Sequence, residues 1–217
     1  MLEIQTNKRK IYKQIGIRDN NMIASDLRVT SFFKMDDCIV FIDGAYLSLV
    51  SKFLGKGKPL RFDIKKFAED LAKKENLVCK EIFYYNCPPF QGTPPTSEQE
   101  KRKAGYDKFI SKLDFVGINV REGRCQMINN EYTQKGVDVL LSIDLVRNAK
   151  KSKHFILVAC DTDFVPAIKD IIEKDNVKVI LYYFKDKNTK FSMSDHILTV
   201  CDKKVKLKLE DFNKSSF

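Results

Sequence analysis

Short apolar runs alternate with amphipathic stretches along most of this chain, and this alternation restricts its fold more than any other feature. The first run, CIVFID, starts at Cys38 and is closed by Gly44, and similar runs recur as VCKEIFYYN, FVGINVREG, HFILVAC and VKVILYYF. Continuous apolar runs are typical of strands that are buried on both faces. Strands that alternate with helices are typical of a parallel sheet covered by helices. The sequence therefore predicts an α/β fold with a central, mainly parallel sheet.

The stretches between these runs have helical spacing. Helices are predicted over residues 46–53, 62–74, 97–113, 137–151 and 163–175. The third of them is expected to be capped by Thr96 or Ser97. Residues 124–136 are expected to be irregular or a short hairpin, SDHILTVCD to add one short strand, and KKVKLKL to alternate like an edge strand.

The length of 217 residues fits one α/β domain with an extension. Residues 1–36 are polar and basic and are interpreted as an N-terminal appendage, which leaves residues 37–217 as the folded domain. No apolar run is long enough to span a membrane, and the first residues lack the apolar core of a signal peptide. The six cysteines form no CxxC motif, which favours reduced thiols in a cytoplasmic protein.

Carboxylates follow two of the predicted strands. Asp43 closes the first strand, and Asp161 and Asp163 follow the run FILVA. Functional groups of parallel sheets gather beyond the carboxyl ends of the strands. If these two strands are neighbours, their carboxylates converge even though more than a hundred residues separate them in the chain.

A further carboxylate comes from the helix predicted at 137–151. Asp138 shares one side of this helix with Leu141 and Leu145, so we expect it to face protein, whereas Asp144 falls about 120° away, near Arg147. Asp138 could also be an ordinary acid of a first helical turn, as could Asp163. Taken singly, each acid fits that simpler interpretation, but as a group they indicate a cluster.

Clustered carboxylates repel one another, and a divalent cation removes that conflict. An all-oxygen ligand set without His or Cys favours Mg²⁺ or Mn²⁺. The formal net charge of +10 indicates a polyanionic partner such as nucleic acid, although solvated lysine-rich faces also produce it. Acids that hold a metal beside lysines that hold a phosphate backbone are the parts of a nuclease.

The residues around Asp161 and Asp163 do not match the Asp-x-Asp motifs of several unrelated protein classes. An EF-hand would need Gly and Glu where the chain has Pro166 and Ile172, and an aspartyl-phosphate phosphatase would need Thr in place of Val165. A nucleotide-sugar transferase also uses an Asp-x-Asp pair, but this chain is short for one. The segment GKGKP lacks the spacing of a phosphate-binding P-loop.

Four segments, VFIDGAYL, FYYNCPP, KGVDVLLSIDLVRNA and ILVACDTDFVPAI, resemble in order the NYN family of PIN-like ribonucleases, in its LabA/DUF88 branch. The resemblance runs from about Ile39 to Val200. It implies a PIN-like three-layer α/β/α sandwich and metal-dependent cleavage of RNA. The family's acidic positions correspond to Asp43, Asp138, Asp161 and Asp163. Asp144 matches a further recurrent acid of open role, and Lys135 a residue that contacts a phosphate or balances the acids.

The chain departs from the family at two places. Tyr46 stands where the family has Asn, and it either narrows the crevice or offers its ring to an RNA base. Ala159 and Cys160 stand where the family has Ser-Gly, so the backbone approach to Asp161 differs. Further candidates for RNA contact are Arg102, Lys103, Arg121 and Arg124, although KRK at 101–103 also fits a solvated helix face.

Two functions are therefore expected. The first is an endoribonuclease that uses Mg²⁺ or Mn²⁺ on the four aspartates to hydrolyse single-stranded RNA. The second is a catalytically weak RNA-binding or regulatory module that keeps the acidic site. PIN-like domains often dimerise, so a homodimer is a further expectation, and no membrane partner is expected.

Overall fold

The computed structural model describes residues 35–128, 131–186, 189 and 195–215. The strands are β1 Asp36–Asp43, β2 Leu77–Asn86, β3 Asn119–Glu122, β4 Arg124–Ile128, β5 Glu131–Lys135, β6 His154–Val158, β7 Lys178–Tyr183 and β8 Lys203–Lys206. The helices are α1 Gly44–Leu54, α2 Ile64–Lys74, α3 Ser97–Phe115, α4 Val137–Asn148, α5 Val165–Asp175, α6 Asp195–Val200 and α7 Leu209–Asn213. A short 3₁₀ turn, Thr162–Phe164, joins β6 to α5.

Six of the described strands form one parallel sheet in the order β3-β2-β1-β6-β7-β8. From β1 the chain builds the sheet outward through β2 and β3, then returns to the other side of β1 and continues through β6, β7 and β8. The order therefore reverses between β1 and β6, and such a switch point opens a crevice at the carboxyl edge of a sheet.

Each face of the sheet is covered by helices. In β1, Val40 and Ile42 face a core shared with α1 and α2, whereas Ile39 and Phe41 face a second core shared with α4 and α5. This alternation follows from the two-residue period of a strand. The predicted three-layer α/β/α sandwich with a central parallel sheet is confirmed.

The local signals for the third predicted helix also hold. Thr96 caps α3 because its hydroxyl accepts a hydrogen bond from the Gln99 N–H, and the Gln99 side chain accepts one from the Thr96 N–H. In the described part of the chain, none of the helices is both long enough and apolar enough to cross a bilayer.

The carboxyl-terminal part of the fold differs from the prediction at one element. The prediction of a short strand in SDHILTVCD is wrong, because Asp195–Val200 forms helix α6. Ile197 and Cys201, four residues apart, are both buried in the second core, which is helical spacing. KKVKLKL does supply the edge strand β8, and β4 and β5 pair antiparallel, as expected for a hairpin in this region. Residues 1–34 of the expected N-terminal appendage at 1–36 lie outside the described residues.

Candidate active site

Asp43 lies at the carboxyl end of β1, at the point where the sheet order reverses. Its side chain caps α1, with Oδ1 accepting a hydrogen bond of 3.0 Å from the Tyr46 N–H. Gly44 follows because the ring of Tyr84 packs there: a Cβ at this position would come within 2.5 Å of the ring. The carboxylate is therefore held in one orientation by the strand, the cap and the neighbouring ring.

Asp161 and Asp163 lie beyond the carboxyl end of β6, the strand that pairs with β1. Val158 is in register with Ile42, so the segments that follow both strands leave the same edge of the sheet side by side. Asp161 caps the 3₁₀ turn, and its Oδ1 accepts a 2.9 Å hydrogen bond from the Asp163 N–H. The two predicted strands are therefore neighbours, as the convergence of their acids requires.

Asp138 lies in the first turn of α4 and reaches the same region from a third element. Gly136, with φ of +82°, turns the chain from β5 into this helix, a conformation that residues with a Cβ rarely adopt. Asp138 is partly buried, at one margin of the buried face of α4.

The four aspartates influence one another electrostatically. The pKa of Asp43 is raised to about 6, first by burial and then by the charges of Asp138 and Asp161, while the hydrogen bond from the Tyr46 N–H opposes the shift. The pKa of Asp138 is also raised, first by burial and then by the charges of Asp161 and Asp163. Within the described residues, no ion pair includes any of these four acids. The site therefore carries negative charge that the protein leaves uncompensated.

The donor set suits a hard cation, because every candidate ligand is a carboxylate oxygen. The acids are not, however, gathered into a finished cage: among the described residues, no three His, Cys, Asp or Glu side chains form a ready-made metal site.

A family model described as the NYN domain matches residues 37–208, which covers most of the chain. The chain belongs to the NYN domain family. This result confirms the family predicted from the four sequence segments. It supports a PIN-like nuclease fold and, more broadly, an activity on RNA.

A crystal structure of a protein of unknown function from Vibrio parahaemolyticus is similar to this chain, with a TM-score of 0.57 and 17% sequence identity. The match covers 82% of this chain and 96% of that protein. At this identity the similarity supports the fold alone. A search of curated proteins gave no match.

Asp144 has a different environment in this NYN domain from the one predicted. It is 4% exposed, and it accepts hydrogen bonds from Arg121 Nε at 2.8 Å and from the Tyr85 hydroxyl at 3.1 Å. The prediction that Asp144 lies on the polar side of its helix is wrong. The buried face of α4 is wide enough to include Asp144 at one margin and to reach Asp138 at the other. Arg121 is thereby engaged within the protein rather than free for RNA.

Tyr46 does not offer its ring to a base. It is 2% exposed, and its hydroxyl accepts a 2.6 Å hydrogen bond from the Phe184 N–H. That stacking hypothesis is wrong, because the larger side chain fills the core and ties α1 to the end of β7. Cys160 lies beside the acids, and its thiol pKa is raised to about 12 by burial and then by the charges of Asp43 and Asp161.

The remaining basic candidates divide into two groups. Arg124 and Lys135 are exposed and directly opposite each other in the hairpin, and within the described residues neither has a carboxylate partner. Arg102 pairs with Glu98 and Lys103 with Asp107 along α3. Arg124 and Lys135 carry like charges and repel each other, so a phosphate bound between them would relieve this repulsion. Arg102 and Lys103 are already paired with carboxylates, so a phosphate would gain less there.

Sequence reasoning did not assign Tyr84 to the site. Its pKa is raised by burial and then by the charge of Asp43, so the phenol borders the acids as well as the core. The close approach of its ring to Gly44 fixes its position. The sequence signal for this position was that Tyr84 lies near the end of a predicted strand; in the structure it is in register with Ile42, the residue before Asp43.

We expect Asp43→Asn to stabilise the protein in the presence of EDTA. Asn keeps the helix cap but removes a charge whose folded-state pKa is raised from 3.8 to about 6. In the wild type, the contribution of Asp43 to stability falls as the pH rises from about 4 to 6, because this carboxyl ionises first in the unfolded state. The variant should therefore match the wild type at pH 4 and exceed it above pH 6, by on the order of 1–3 kcal/mol.

Urea unfolding at pH 4, 5, 6 and 7 measures this difference. Asp114→Asn, an exposed acid on α3, is the matched control and should show no growing gap. A constant gap between wild type and Asp43→Asn across the series would contradict the assignment.

Proposed function

We propose that this NYN domain is a metal-dependent endoribonuclease that hydrolyses RNA phosphodiester bonds at the carboxyl edge of its sheet. The observation that carries the proposal is the position of Asp43, Asp138 and Asp161, which follow or begin three separate elements at the switch point between β1 and β6. The charge of Asp161 raises the pKa of both Asp43 and Asp138, in keeping with that position. A fold that needed only stability would pair or disperse such acids.

In this proposal Asp43, Asp138, Asp161 and Asp163 hold Mg²⁺ or Mn²⁺. Such a cation supplies positive charge that lowers the pKa of water and offsets the charge that develops on the phosphate. The cap to Tyr46 N–H orients Asp43, and the cap to Asp163 N–H orients Asp161. Arg124 and Lys135 hold an RNA phosphate at the base of the hairpin, three residues before Asp138.

The charge distribution supports RNA rather than a small neutral substrate. The chain carries a formal net charge of +10, whereas the four site acids have no cationic partner in the described part of the protein. A basic surface attracts the phosphate backbone, and the local acids require the cation that would act on it. The expected homodimer and cytoplasmic location stay predictions.

Removal of the divalent metal is expected to abolish cleavage. The full chain, stripped with EDTA, should leave a labelled single-stranded RNA intact, and Mn²⁺ or Mg²⁺ should restore cleavage. In the absence of RNA, Mn²⁺ should also raise the melting temperature, because a ligand that binds only the folded state stabilises it. Cleavage that persists in EDTA would refute the metal-dependent mechanism.

A second function, an RNA-binding module with weak catalysis, is favoured by one observation: the acids do not form a ready-made metal site among the described residues. The two proposals differ in a single assay. RNA binding in EDTA together with no cleavage in saturating Mn²⁺ would support the binding module, whereas cleavage that depends on Mn²⁺ supports the nuclease.

A further inference from the structure

A groove of about 440 Å³ lies between the loop that follows β2, helix α3 and the β4–β5 hairpin. The side chains on its walls that bear on binding are Phe90, Gln99, Arg102, Tyr106, Tyr132 and Gln134. No carboxylate is among the described residues that line it. This combination of aromatic rings, two amides and one cation differs from the acids at the switch point.

The loop wall of this groove is held in place by two glutamine side chains. Gln91 Nε2 donates hydrogen bonds to the carbonyl oxygens of Phe90 and Gln99, each at 2.9 Å. Gln99 Oε1 accepts hydrogen bonds from Gly92 N–H at 3.0 Å and from Thr96 N–H at 2.9 Å. The loop that carries Phe90 is therefore fixed before any ligand binds, which reduces the entropic cost of binding.

The aromatic wall is formed by Phe90 and Tyr132, whose ring centroids lie 5.6 Å apart at an angle of 44°. Tyr132 is nevertheless 60% exposed, so most of its surface is open to solvent. A tyrosine that served only to close the hairpin against the loop would bury more of its ring. An exposed ring next to a second ring is the arrangement that receives a planar group by stacking.

Polar groups stand beside these rings. Gln134 lies on the same hairpin face as Tyr132, two residues away, and within the described residues its exposed amide has no hydrogen-bond partner. An amide both donates and accepts, which suits the edge of a base. In the described part of the chain, the ion-pair partner of Arg102 is Glu98, in an exposed pair on one helix, and such pairs are weak enough for a phosphate to replace.

The groove opens at the same edge of the sheet as the aspartates. Its loop begins directly after Asn86, and β2 pairs with β1 so that Tyr85 is opposite Asp43. The other hairpin face carries Arg124 and Lys135. Lys135 precedes Asp138 by three residues in the chain. The groove and the acids therefore lie at the same edge of the sheet, along which one strand of RNA would contact both.

We infer that this groove binds an unpaired base of single-stranded RNA, stacked on Tyr132 and Phe90, with Gln134 at the base edge and Arg102 on the adjoining phosphate. The inference rests on the proposed activity on RNA and assigns one base of the substrate to a binding place outside the acidic site. A paired base has both faces covered by its neighbours, so duplex RNA cannot stack on these rings.

Binding of a short fluorescein-labelled single-stranded RNA to the full chain, measured by anisotropy in EDTA, tests this inference without cleavage. Tyr132→Ala should weaken binding about tenfold, the order expected for one lost stacking contact. Tyr132→Phe, which keeps the ring, should bind like the wild type. The control is Phe115→Ala, which removes a ring that is 91% exposed at the end of α3, outside the groove.

An RNA strand with abasic residues separates stacking from phosphate contact. Wild type should lose at least about tenfold in affinity for the abasic strand, whereas Tyr132→Ala should lose clearly less, because the variant has already lost its stacking contact with Tyr132 and keeps only those of Phe90 and Gln134. Duplex RNA of the same sequence should compete poorly.

In a chain that cleaves RNA, two results would refute base binding in the groove without refuting the nuclease. One is wild-type affinity in Tyr132→Ala, and the other is a duplex that competes as well as the single strand. Binding with the expected Tyr132 dependence but no metal-dependent cleavage would support the groove and refute the nuclease. A chain that neither binds nor cleaves RNA would refute both.

Discussion

Asp161→Asn should lower the rate of RNA cleavage by at least about 100-fold, because it removes one carboxylate from the proposed cation site. The expected loss is specific to catalysis. Asn still offers an oxygen to the Asp163 N–H, so the turn that follows β6 keeps its cap. RNA binding in EDTA should stay at the wild-type level or strengthen, since the substitution removes one negative charge from a site that faces phosphate.

Single-turnover cleavage of labelled single-stranded RNA in saturating Mn²⁺ measures this effect, with binding in EDTA measured in parallel. Asp114→Asn carries the same chemical change at an exposed position on α3 and should cleave like the wild type. An Asp161→Asn variant that cleaves at more than about a tenth of the wild-type rate would contradict the role of this acid. Equal losses in Asp161→Asn and Asp114→Asn would contradict a specific role of Asp161, whereas wild-type cleavage in both variants would indicate a contaminating nuclease.

The convergence of Asp43 and Asp161 was accessible from the sequence because strand ends in a parallel sheet share an edge. The runs CIVFID and FILVA each predict a buried strand, and the acid closes or closely follows each run. The sequence did not establish that β1 and β6 are neighbours. That arrangement depends on the chain order around β1, and it is now given by the register of Ile42 with Val158.

The sequence predicts that helix α4 exists more readily than it predicts which side of this helix is buried. Angular position on a helix separates Asp138 from Asp144, but it does not say how wide the buried face is. In the fold, Arg121 and Tyr85, on the adjacent strands β3 and β2, reach Asp144 and make its burial tolerable. A polar residue on a helix can therefore be buried by partners that are distant in sequence, and no periodicity reveals them.

The groove was not predicted for the same reason. Phe90 and Tyr132 are separated by 42 residues, the difference of their numbers, and lie in segments interpreted as a Pro-rich loop and an irregular stretch or hairpin. Neither segment has the periodicity that signals a site. Only the hairpin register and the docking of the loop on α3 bring the two rings together.

Arg121→Met is expected to destabilise the protein by about 2–4 kcal/mol, because it leaves Asp144 buried without its charged partner. The Asp144 side chain is only 6% exposed, whereas the Arg121 side chain is 35% exposed, so water near Arg121 keeps the expected cost below that of a fully buried pair. For a domain of this size the melting temperature should fall by roughly 5–15 °C. The measurement is urea unfolding, followed together with RNA binding in EDTA.

A second substitution distinguishes the buried charge from simple loss of packing. Asp144→Asn in the Arg121→Met background removes the unpaired charge and should recover a large part of the lost stability, since a neutral amide can still accept from the Tyr85 hydroxyl. Lys174→Met breaks the exposed pair with Asp170 and should cost less than about 1 kcal/mol. If Arg121→Met instead kept wild-type stability and weakened RNA binding, Arg121 would be an RNA contact, as its sequence position at a strand end indicated, and its bond to Asp144 would be incidental.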